Sequence, residues 1–397
     1  MVLGLNISVE KEGSIVDVYD KIFSLEDGGI YDRCLQNKRY EFPHRISEIK
    51  KQIYNISKEI AFWMFENKPV EAYIPKEEYK KICAFVLSDN KGIEDDILIG
   101  NYFKLVRYYE GIGAERLYFV HRSIYEYFVV ETIYGAIKYP MLKLVEKSQE
   151  EFAGKVAFNL KRGRITENIN TYLKYKIIKL YNNFNDEKKE KFYQWMESTV
   201  VKMMNIGMFY YTGRNIQEYE NIIISESQCF LNLIKVLRIL WHENKKEFIL
   251  KDADRKMLER YIRLRLIECR MELPFGAEII NLSYFFLKNV DLSGEDLGSV
   301  NFSGANLERV NFRSAYLEAA SFYNANLRRA DLRNATLVNA DLEKANLEGA
   351  NLEASIWYEE NIFNVLPQLK SAKFEYIIVE DKKQKIVYRR ELFSEEN

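Results

Sequence analysis

Residues 325–352 read ANLRRADLRNATLVNADLEKANLEGANL. In this stretch every fifth residue after the start at Leu327 is Leu, and the residue two positions before each Leu is Ala. Traced outward, Leu or Phe recurs at every fifth position from Leu282 to Leu352, fifteen positions without a break. A step of five rotates by about 140° around an α-helix and alternates between the faces of a strand, so neither element would gather these side chains. The period therefore predicts a coil in which each pentapeptide forms one side and each central residue points to a shared axis.

This pattern resembles the pentapeptide repeat family, whose motif runs small residue, Asn or Asp, Leu or Phe, and two variable residues. The stretches ADLEK at 340–344 and ANLEG at 345–349 match the motif closely. The resemblance implies a right-handed, four-sided β-helix with twenty residues per coil. The core is then expected to contain Leu292, Leu297, Phe302, Leu307, Phe312, Leu317, Phe322, Leu327, Leu332, Leu337, Leu342, Leu347 and Leu352.

Residues twenty positions apart should stack in such a helix, which places Phe302 over Phe322. Phe312 should stack with Leu292 and Leu332 on the opposite side. Phe285 and Glu295 occupy inward positions where the motif has a small residue, so we expect the first coil to be irregular or capped. Open solenoid ends expose unpaired strand edges. We therefore interpret residues 357–397, with a short helix at 358–369 and alternating stretches at 374–379 and 385–392, as a cap rather than an interaction site.

The first 140 residues predict a helix, helix, hairpin, helix order. Ile46, Ile49, Ile53, Ile56 and Ile60 recur at helical spacing and indicate a helix over 44–66. Pro75 marks a second helix start, residues 102–109 and 115–120 flank a Gly-containing turn, and a further helix begins near 123. This order predicts a winged-helix-like unit. Lys76, Lys80 and Lys81 are offset by Glu77 and Glu78, which favours a solvated face over a DNA reader.

Residues 141–281 predict a helical domain that links this unit to the β-helix. Helices are expected at 167–181, 187–205, 226–242 and 252–270. Asn185 or Asp186 should cap the second of these helices, and Asp252 the last. The last helix is rich in Arg, but interleaved acids favour a mixed surface over a phosphate-binding face.

Residues 118–134, YFVHRSIYEYFVVETIY, resemble the segment that follows the nucleotide-binding module in bacterial NACHT-type STAND NTPases. The matching residues are Phe119, His121, Ser123, Glu126, Tyr127 and Phe128. Residues 15–34 also resemble what lies just after the ATPase core in such proteins, several of which end in pentapeptide repeats. In that family the equivalent of His121 is thought to lie near bound nucleotide. A packed, hydrogen-bonded histidine is the alternative that we favour, and Glu126 could pair with Arg122 one turn earlier.

The phosphate-binding loop of that family is missing from this sequence. Such a loop ends in Gly-Lys-Ser/Thr, whereas the only Gly-Lys pair here, Gly154-Lys155, is followed by Val156. The acids of the stretch 93–100, IEDDILIG, precede its apolar run, although a magnesium-binding strand needs them after it. The chain is therefore expected to act with an NTPase core supplied by another chain, or to be a remnant of a larger protein.

Composition and motifs exclude most other classes. The 397 residues carry 58 basic and 59 acidic side chains, which disfavours a globally basic nucleic-acid binder. The four cysteines are widely spaced, three histidines offer no metal cluster, and no nucleophile or paired-carboxylate motif is present. We expect no cofactor, no metal, no catalytic residues, no membrane span and a cytoplasmic location.

The sequence thus predicts an α+β multidomain protein: a winged-helix-like domain (1–140), a helical domain (141–281), a β-helix (282–356) and a cap (357–397). We expect a non-enzymatic sensor module whose β-helix binds a protein partner, with a P-loop NTPase chain as one candidate. The candidate interaction surface is Arg309, Arg313, Arg328, Arg329 and Arg333. The alternative is a DNA- or topoisomerase-associated protein. Nine acids against seven bases at 282–352 argue against the strongly acidic DNA mimicry known in one branch of the family.

Overall fold

A computed structural model describes most of the chain. The described residues are 14–26, 29–31, 35, 43–68, 71–86, 103–107, 115–143, 149, 153–154, 157, 160, 163, 165–207, 219–244, 248–271, 280–358, 362, 367–380 and 385–389. The chain divides into two compact units, Met1–Lys189 (unit 1) and Glu190–Asn397 (unit 2). The four domain ranges expected from the sequence stay a prediction.

Unit 1 is built from helices and a small sheet. Its helices are α1 (Ile15–Ile22), α2 (Ile46–Asn67), α3 (Lys76–Val86), α4 (Arg122–Lys143) and α5 (Glu167–Tyr181). Ser14 and Asp17 cap the start of α1 reciprocally, which satisfies backbone donors that have no partner inside the helix. The predicted helices over 44–66 and 167–181, and the helix starts after Pro75 and near 123, are confirmed.

The sheet of unit 1 has three strands in the order β1–β3–β2. Strands β1 (Tyr73–Pro75), β2 (Phe103–Arg107) and β3 (Glu115–Phe119) pair antiparallel. The predicted hairpin of β2 and β3 is therefore confirmed, whereas its turn at 108–114 lies outside the described residues.

Three long helices continue the chain: α6 (Asp186–Ile206), α7 (Tyr219–Asn244) and α8 (Arg255–Met271). Asn185 caps α6 as predicted, since its Oδ1 accepts the Lys188 N–H at 2.9 Å. The cap predicted for α8 was wrong by two residues. Asp254, not Asp252, accepts the Met257 N–H at 3.0 Å, because α8 begins at 255 and Asp254 precedes its first turn. The Pro274 and Gly276 junction lies outside the described residues.

The repeats of unit 2 form a coil that pairs with itself every twenty residues. Leu292 donates its N–H to the Asn311 carbonyl at 2.8 Å, and Asn311 donates to Val290 at 3.0 Å. Gly294 donates to Arg313 at 2.9 Å, so each pentapeptide is joined to the next coil by several bonds. Parallel bridges on the four sides join Asn281–Asn301–Ser321–Asp341, Phe286–Asn306–Asn326–Asn346, Asp291–Asn311–Asp331–Asn351 and Asp296–Tyr316–Thr336–Ile356.

Each corner of the coil is a tight turn with a left-handed residue. In one example, Ala335 donates to the Leu332 carbonyl at 3.1 Å while Asn334 has φ 56°. The second variable residue of all fifteen repeats from Tyr284 to Ala354 has φ between 54° and 70°, and only three of them are glycine. The Asn or Asp of the motif supports the turn, as when Asp331 Oδ1 accepts the Arg333 N–H at 3.2 Å.

The thirteen predicted core side chains from Leu292 to Leu352 are each at most 1% exposed. Phe302 and Phe322 stack as predicted, with ring centroids 5.2 Å apart and planes 6° from parallel. Phe312 meets both rings edge-on at 5.6 and 5.9 Å, which is a favourable aromatic geometry. The rings of Phe302, Phe312 and Phe322 therefore pack against one another across the axis of the coil.

The first coil is capped by α8 and remains regularly hydrogen-bonded. Three residues of α8 at successive turns of the helix reach its open backbone edge. Arg255 donates to the Phe286 carbonyl, Glu259 accepts the Asp291 N–H at 2.7 Å, and Arg263 donates to the Asp291 carbonyl at 3.0 Å. The charged side chains of α8 were expected to form a mixed surface. Those of this stripe instead hydrogen-bond to backbone groups of the first coil that have no neighbouring strand to pair with.

The segment before α8 and the helix α7 complete this cap. Ile249 pairs in parallel with Phe285, which is fully buried. Arg238 of α7 donates to the carbonyl and hydroxyl of Ser283 at 3.0 and 2.5 Å. Burial lowers the pKa of Arg238 to about 10, which shows how far its guanidinium is removed from water. Glu295, the second departure from the motif, pairs with Arg263 at 3.4 Å.

The other end of the β-helix is covered by a small sheet in the order β4–β5–β6. Strand β4 (Ile356–Tyr358) pairs in parallel with β5 (Tyr376–Glu380), which forms an antiparallel hairpin with β6 (Lys385–Arg389). Of the short helix expected at 358–369, the structure describes helical residues only at Ile362 and 367–369, and most of the remainder lies outside the described residues.

Replacing Leu332 by Asp should destabilise the β-helix by several kcal/mol, because the side chain is fully buried and the new carboxylate would have no partner. Asn334→Asp, at an exposed corner two residues later, should change stability by less than about 0.5 kcal/mol. Calorimetric melting of the full chain measures both variants. Identical melting curves would show that Leu332 does not face the axis.

Ala319 and Asn339 occupy the same left-handed corner in successive coils, with φ of 54° and 57°. Asn tolerates this conformation better than Ala because its short side chain bonds locally to the backbone. Ala319→Asn should therefore raise the free energy of unfolding by about 0.5–1 kcal/mol, and Asn339→Ala should lower it by a similar amount. Denaturant unfolding of both variants tests this, and a shift of equal sign in both would contradict it.

Candidate functional site

The five candidate arginines lie at two neighbouring corners of the β-helix. Arg309, Arg328 and Arg329 belong to one corner, and Arg313 and Arg333 belong to the next. Arg328 pairs with Glu348 at 2.9 Å, and the guanidinium of Arg333 holds both carboxylate oxygens of its neighbour at 2.8 and 2.5 Å. Arg328 and Arg333 are thus bound to carboxylates, whereas Arg313 and Arg329 are exposed.

At the first of these corners, charges of opposite sign alternate from coil to coil. Residues 288, 308, 328 and 348 are Lys, Glu, Arg and Glu. Lys288 pairs with Glu308 at 2.8 Å, and Arg309 lies 3.8 Å from the same carboxylate. A hydrogen bond from Lys288 holds the pKa of Glu308 below its usual range, and Arg309 adds to this effect. The Glu308 carboxylate is therefore ionised and is matched by cations within the repeat.

The family-motif residues of unit 1 have two different environments. Phe119, Tyr127 and Phe128 are buried, and Phe128 stacks near Phe119 at 5.9 Å. Glu126 is 3% exposed, pairs with Arg122 at 3.4 Å as predicted, and accepts from Asn168.

His121 is exposed, which contradicts the favoured expectation of a packed histidine. Its Nδ1 accepts the Ser123 N–H at 3.2 Å and lies 2.5 Å from the Ser123 Oγ. The histidine is thus hydrogen-bonded at the start of α4, where the first backbone N–H groups have no partner within the helix. Its position outside the core follows from this capping role.

Unit 1 also has a cleft of about 590 Å³ at the contact of α1, α2, α4 and α5. At its floor, the Lys176 ammonium lies 2.5 Å from carboxylate oxygens of both Asp20 and Glu131. Tyr127 donates to Asp20 at 2.9 Å, and Tyr54 donates to Glu131. This cluster joins all four helices through ionised and hydrogen-bonded groups.

The burial of this cluster shifts its titration. Burial raises the pKa of Tyr54 and Tyr127, and the neighbouring carboxylates raise it further. Burial opposes the charged form of Lys176, but Glu131 and Asp20 outweigh it and raise the pKa of the ammonium. Lys176 therefore stays a cation and the tyrosines stay neutral donors at physiological pH.

Sequence reasoning missed this cluster. Asp20 and Lys176 are 156 residues apart, and no local spacing links them. Lys176 does lie on the apolar side of α5, between the buried Leu173 and Ile177, which is the one signal that could have identified it. A lysine among buried positions requires a partner for its charge.

The described residues contain neither a cluster of metal ligands nor a membrane-spanning helix. Among them, no group of three or more His, Cys, Asp or Glu side chains is placed to hold a metal ion. None of the described helices combines the length and apolar composition needed to cross a bilayer. Cys83 and Cys229 are buried.

The comparisons with known proteins concern the repeats. Residues 281–313 and 315–353 match the family described as pentapeptide repeats, in eight copies. The C-terminal resemblance is therefore confirmed, and this part of the chain is a pentapeptide repeat β-helix. No curated protein matches the chain.

Several solved structures of pentapeptide repeat proteins are similar to part of this chain. A pentapeptide repeat protein from the thylakoid lumen of Arabidopsis thaliana is 38% identical over 18% of this chain and 53% of its own, with a TM-score of 0.13. One from Nostoc PCC 7120 is 28% identical over 28% and 92%, with a TM-score of 0.15. HetL of Nostoc, involved in heterocyst differentiation regulation, is 33% identical over 18% and 37%, with a TM-score of 0.10. This chain thus spans about half of the Arabidopsis protein.

Lys176→Met should lower the free energy of unfolding of unit 1 by about 3 kcal/mol, because it leaves Asp20 and Glu131 without their shared cation. Lys174→Met, on the exposed side of the same helix, is the matched control and should change stability by less than about 0.5 kcal/mol. Hydrogen–deuterium exchange of residues 15–22 in the full chain reports the loss of α1 docking. Equal protection in the two variants would show that the cluster does not hold α1.

Proposed function

We propose that this chain is a non-enzymatic sensor module of a bacterial NACHT/STAND-like system, and that its right-handed β-helix binds a protein partner. The proposal rests on the difference in exposure between the central and the variable positions of each repeat. The central Leu and Phe side chains are buried, whereas both variable residues lie at the corners. A rod of this kind offers a regular array of variable side chains, and pentapeptide repeat proteins are typically interaction proteins rather than enzymes.

The first unit supports the sensor part of the proposal. The order α2, β1, α3, β2, β3, with β3 at the centre of the sheet and α4 directly after it, supports the proposed winged-helix-like unit. Within the segment 15–34, which resembles the post-ATPase region, the helix α1 packs against α4 and α5. Ligand capture could regulate an NTPase only if the ligand binds two states of the assembly with different affinity. The NTPase core would be supplied by a P-loop chain, in the cytoplasm.

The surface charges disfavour the DNA-associated alternative. Glu308 and Glu348 interrupt the basic side chains at one corner, and Asp331 lies close to the arginines of the other. A continuous phosphate backbone would meet these carboxylates as well as the arginines.

Affinity capture with the tagged full chain from its own cells, followed by mass spectrometry, tests the proposed function. We expect a P-loop NTPase to be recovered with the wild-type chain and with Asn334→Asp. Leu332→Asp, which disrupts the β-helix, should lose it. Equal recovery with Leu332→Asp, or recovery of topoisomerase subunits in place of an NTPase, would contradict the proposal.

A further inference from the structure

One side of the β-helix continues without a break into the C-terminal sheet. Bridges at twenty-residue intervals join the successive coils of this side at Asp296, Tyr316, Thr336 and Ile356. Ile356 pairs in turn with Ile378 of β5, and Ile378 pairs with Val387 of β6. Six strands therefore form one surface, which is about 24 Å long at an inter-strand spacing of about 4.8 Å.

The side chains that point outward from this surface are mostly apolar. Ile377 and Val379 of β5 are buried, so the alternation along the strand directs Ile378 to the outside. Tyr316 is 43% exposed and Val387 is 56% exposed, and the outward side chains between them are partly exposed. We call these side chains the apolar strip: Tyr316, Val338, Ile356, Tyr358, Ile378 and Val387.

This side of the coil also differs from the others in charge. Its outward residues between 296 and 358, all of which the structure describes, include no Lys or Arg, whereas each of the other three sides carries at least one. Its two acids, Asp296 and Glu318, lie at the end near the first coil. At the other end β6 contains two cations, Lys385 opposite Glu380 and Arg389 opposite Tyr376. The apolar strip thus lies between an acidic end and an end with one net positive charge.

Successive coils are rotated very little against one another. The ring planes of Phe302 and Phe322, which are one coil apart, are 6° from parallel. Strands of ordinary sheets are rotated by roughly 20–25° from one to the next, and flat sheets are typically stabilised by stacking on another flat surface. The same side of a second copy has this flatness and the same strand spacing.

We propose that the apolar strip packs against the apolar strip of a second copy of this chain, with the coils of the two copies running in opposite directions. Such a contact uses the same residues on both copies and closes with two-fold symmetry. The opposite direction places the acidic end of each copy against the basic end of the other, whereas the parallel direction would bring like charges together.

The size of the surface sets the strength of the contact. One side of the coil spans four residues of extended chain, about 13 Å, so the flat face measures on the order of 300 Å² on each copy. Stable complexes typically bury about 800 Å² on each partner. The dimer is therefore weak and reversible, with a dissociation constant of about 100 µM.

Sedimentation equilibrium of the full chain over a range of concentrations tests the inference. Val338→Arg should weaken the dimer at least about tenfold, because it places a guanidinium in an apolar contact without a partner. The fold accepts Arg at this motif position, as Arg328 and Arg333 show. Tyr323→Arg is the matched control, since it adds the same charge at the same motif position on another side of the coil and should change the dissociation constant by less than about twofold. Both variants should melt like the wild-type chain.

Three outcomes would overturn the inference. One is a wild-type chain that stays monomeric at about 1 mM, and another is an equal effect of Val338→Arg and Tyr323→Arg on the dimer. Truncation after Arg389 should leave the dimer unchanged, so a dimer that forms only in the truncated chain would show that residues 390–397 cover the strip instead.

Cellular capture separates this inference from the proposed function. Val338→Arg should still recover the P-loop NTPase, because the strip is assigned to a second copy. Loss of the NTPase with Val338→Arg but not with Tyr323→Arg would assign the strip to that partner, which would overturn the inference and leave the proposed function standing.

Discussion

Each coil of the β-helix is fixed by backbone hydrogen bonds to the coil twenty residues away, and the organisation of unit 2 depends on that spacing. The bonds keep the central residues in register, so Phe302 falls on Phe322 and the axis is filled. They also leave one unpaired edge at each end. The helix α8 satisfies the first edge with Arg255, Glu259 and Arg263, and the strand β5 pairs with β4 at the other end.

The β-helix could be predicted because its information is local. The five-residue period from Leu282 to Leu352 identified the inward residues, and the twenty-residue coil implied by the family resemblance then predicted the stacking of Phe302 on Phe322. The helices α2 and α3 of unit 1 were predicted for the same reason, from apolar spacing and from Pro75. The cap of α8 was misplaced because two Asp residues, Asp252 and Asp254, lie only two positions apart in the sequence and either could cap a helix start.

Long-range pairings could not be predicted. Nothing in the local sequence links Lys176 to Asp20, or Arg263 to the backbone of Asp291, because the partners meet only after the chain has folded. The same holds for the arginines of the repeats. Their sequence positions identified a basic group, but only the structure distinguishes Arg333, bound to a carboxylate, from the exposed Arg313.

The polar cluster of unit 1 has a different energetic character from the β-helix core. Removing a lysine and two carboxylates from water is unfavourable, and their mutual attraction offsets that cost only when the geometry is good. Asp20 and Glu131 each approach the Lys176 ammonium to 2.5 Å, and each also accepts a tyrosine hydroxyl. Such a cluster favours one arrangement of α1 against α4 and α5 over alternatives that apolar packing alone would tolerate.

The four-sided coil also restricts how a repeat region of this kind can change in length. Loss or gain of twenty residues removes or adds a whole turn and leaves every remaining side chain in its own column. A change of a single pentapeptide keeps all central residues inward, yet it rotates everything beyond it by one side, about a quarter turn. The two arginine corners could therefore be reoriented relative to the capped first coil without any substitution, by a deletion that the core would accept.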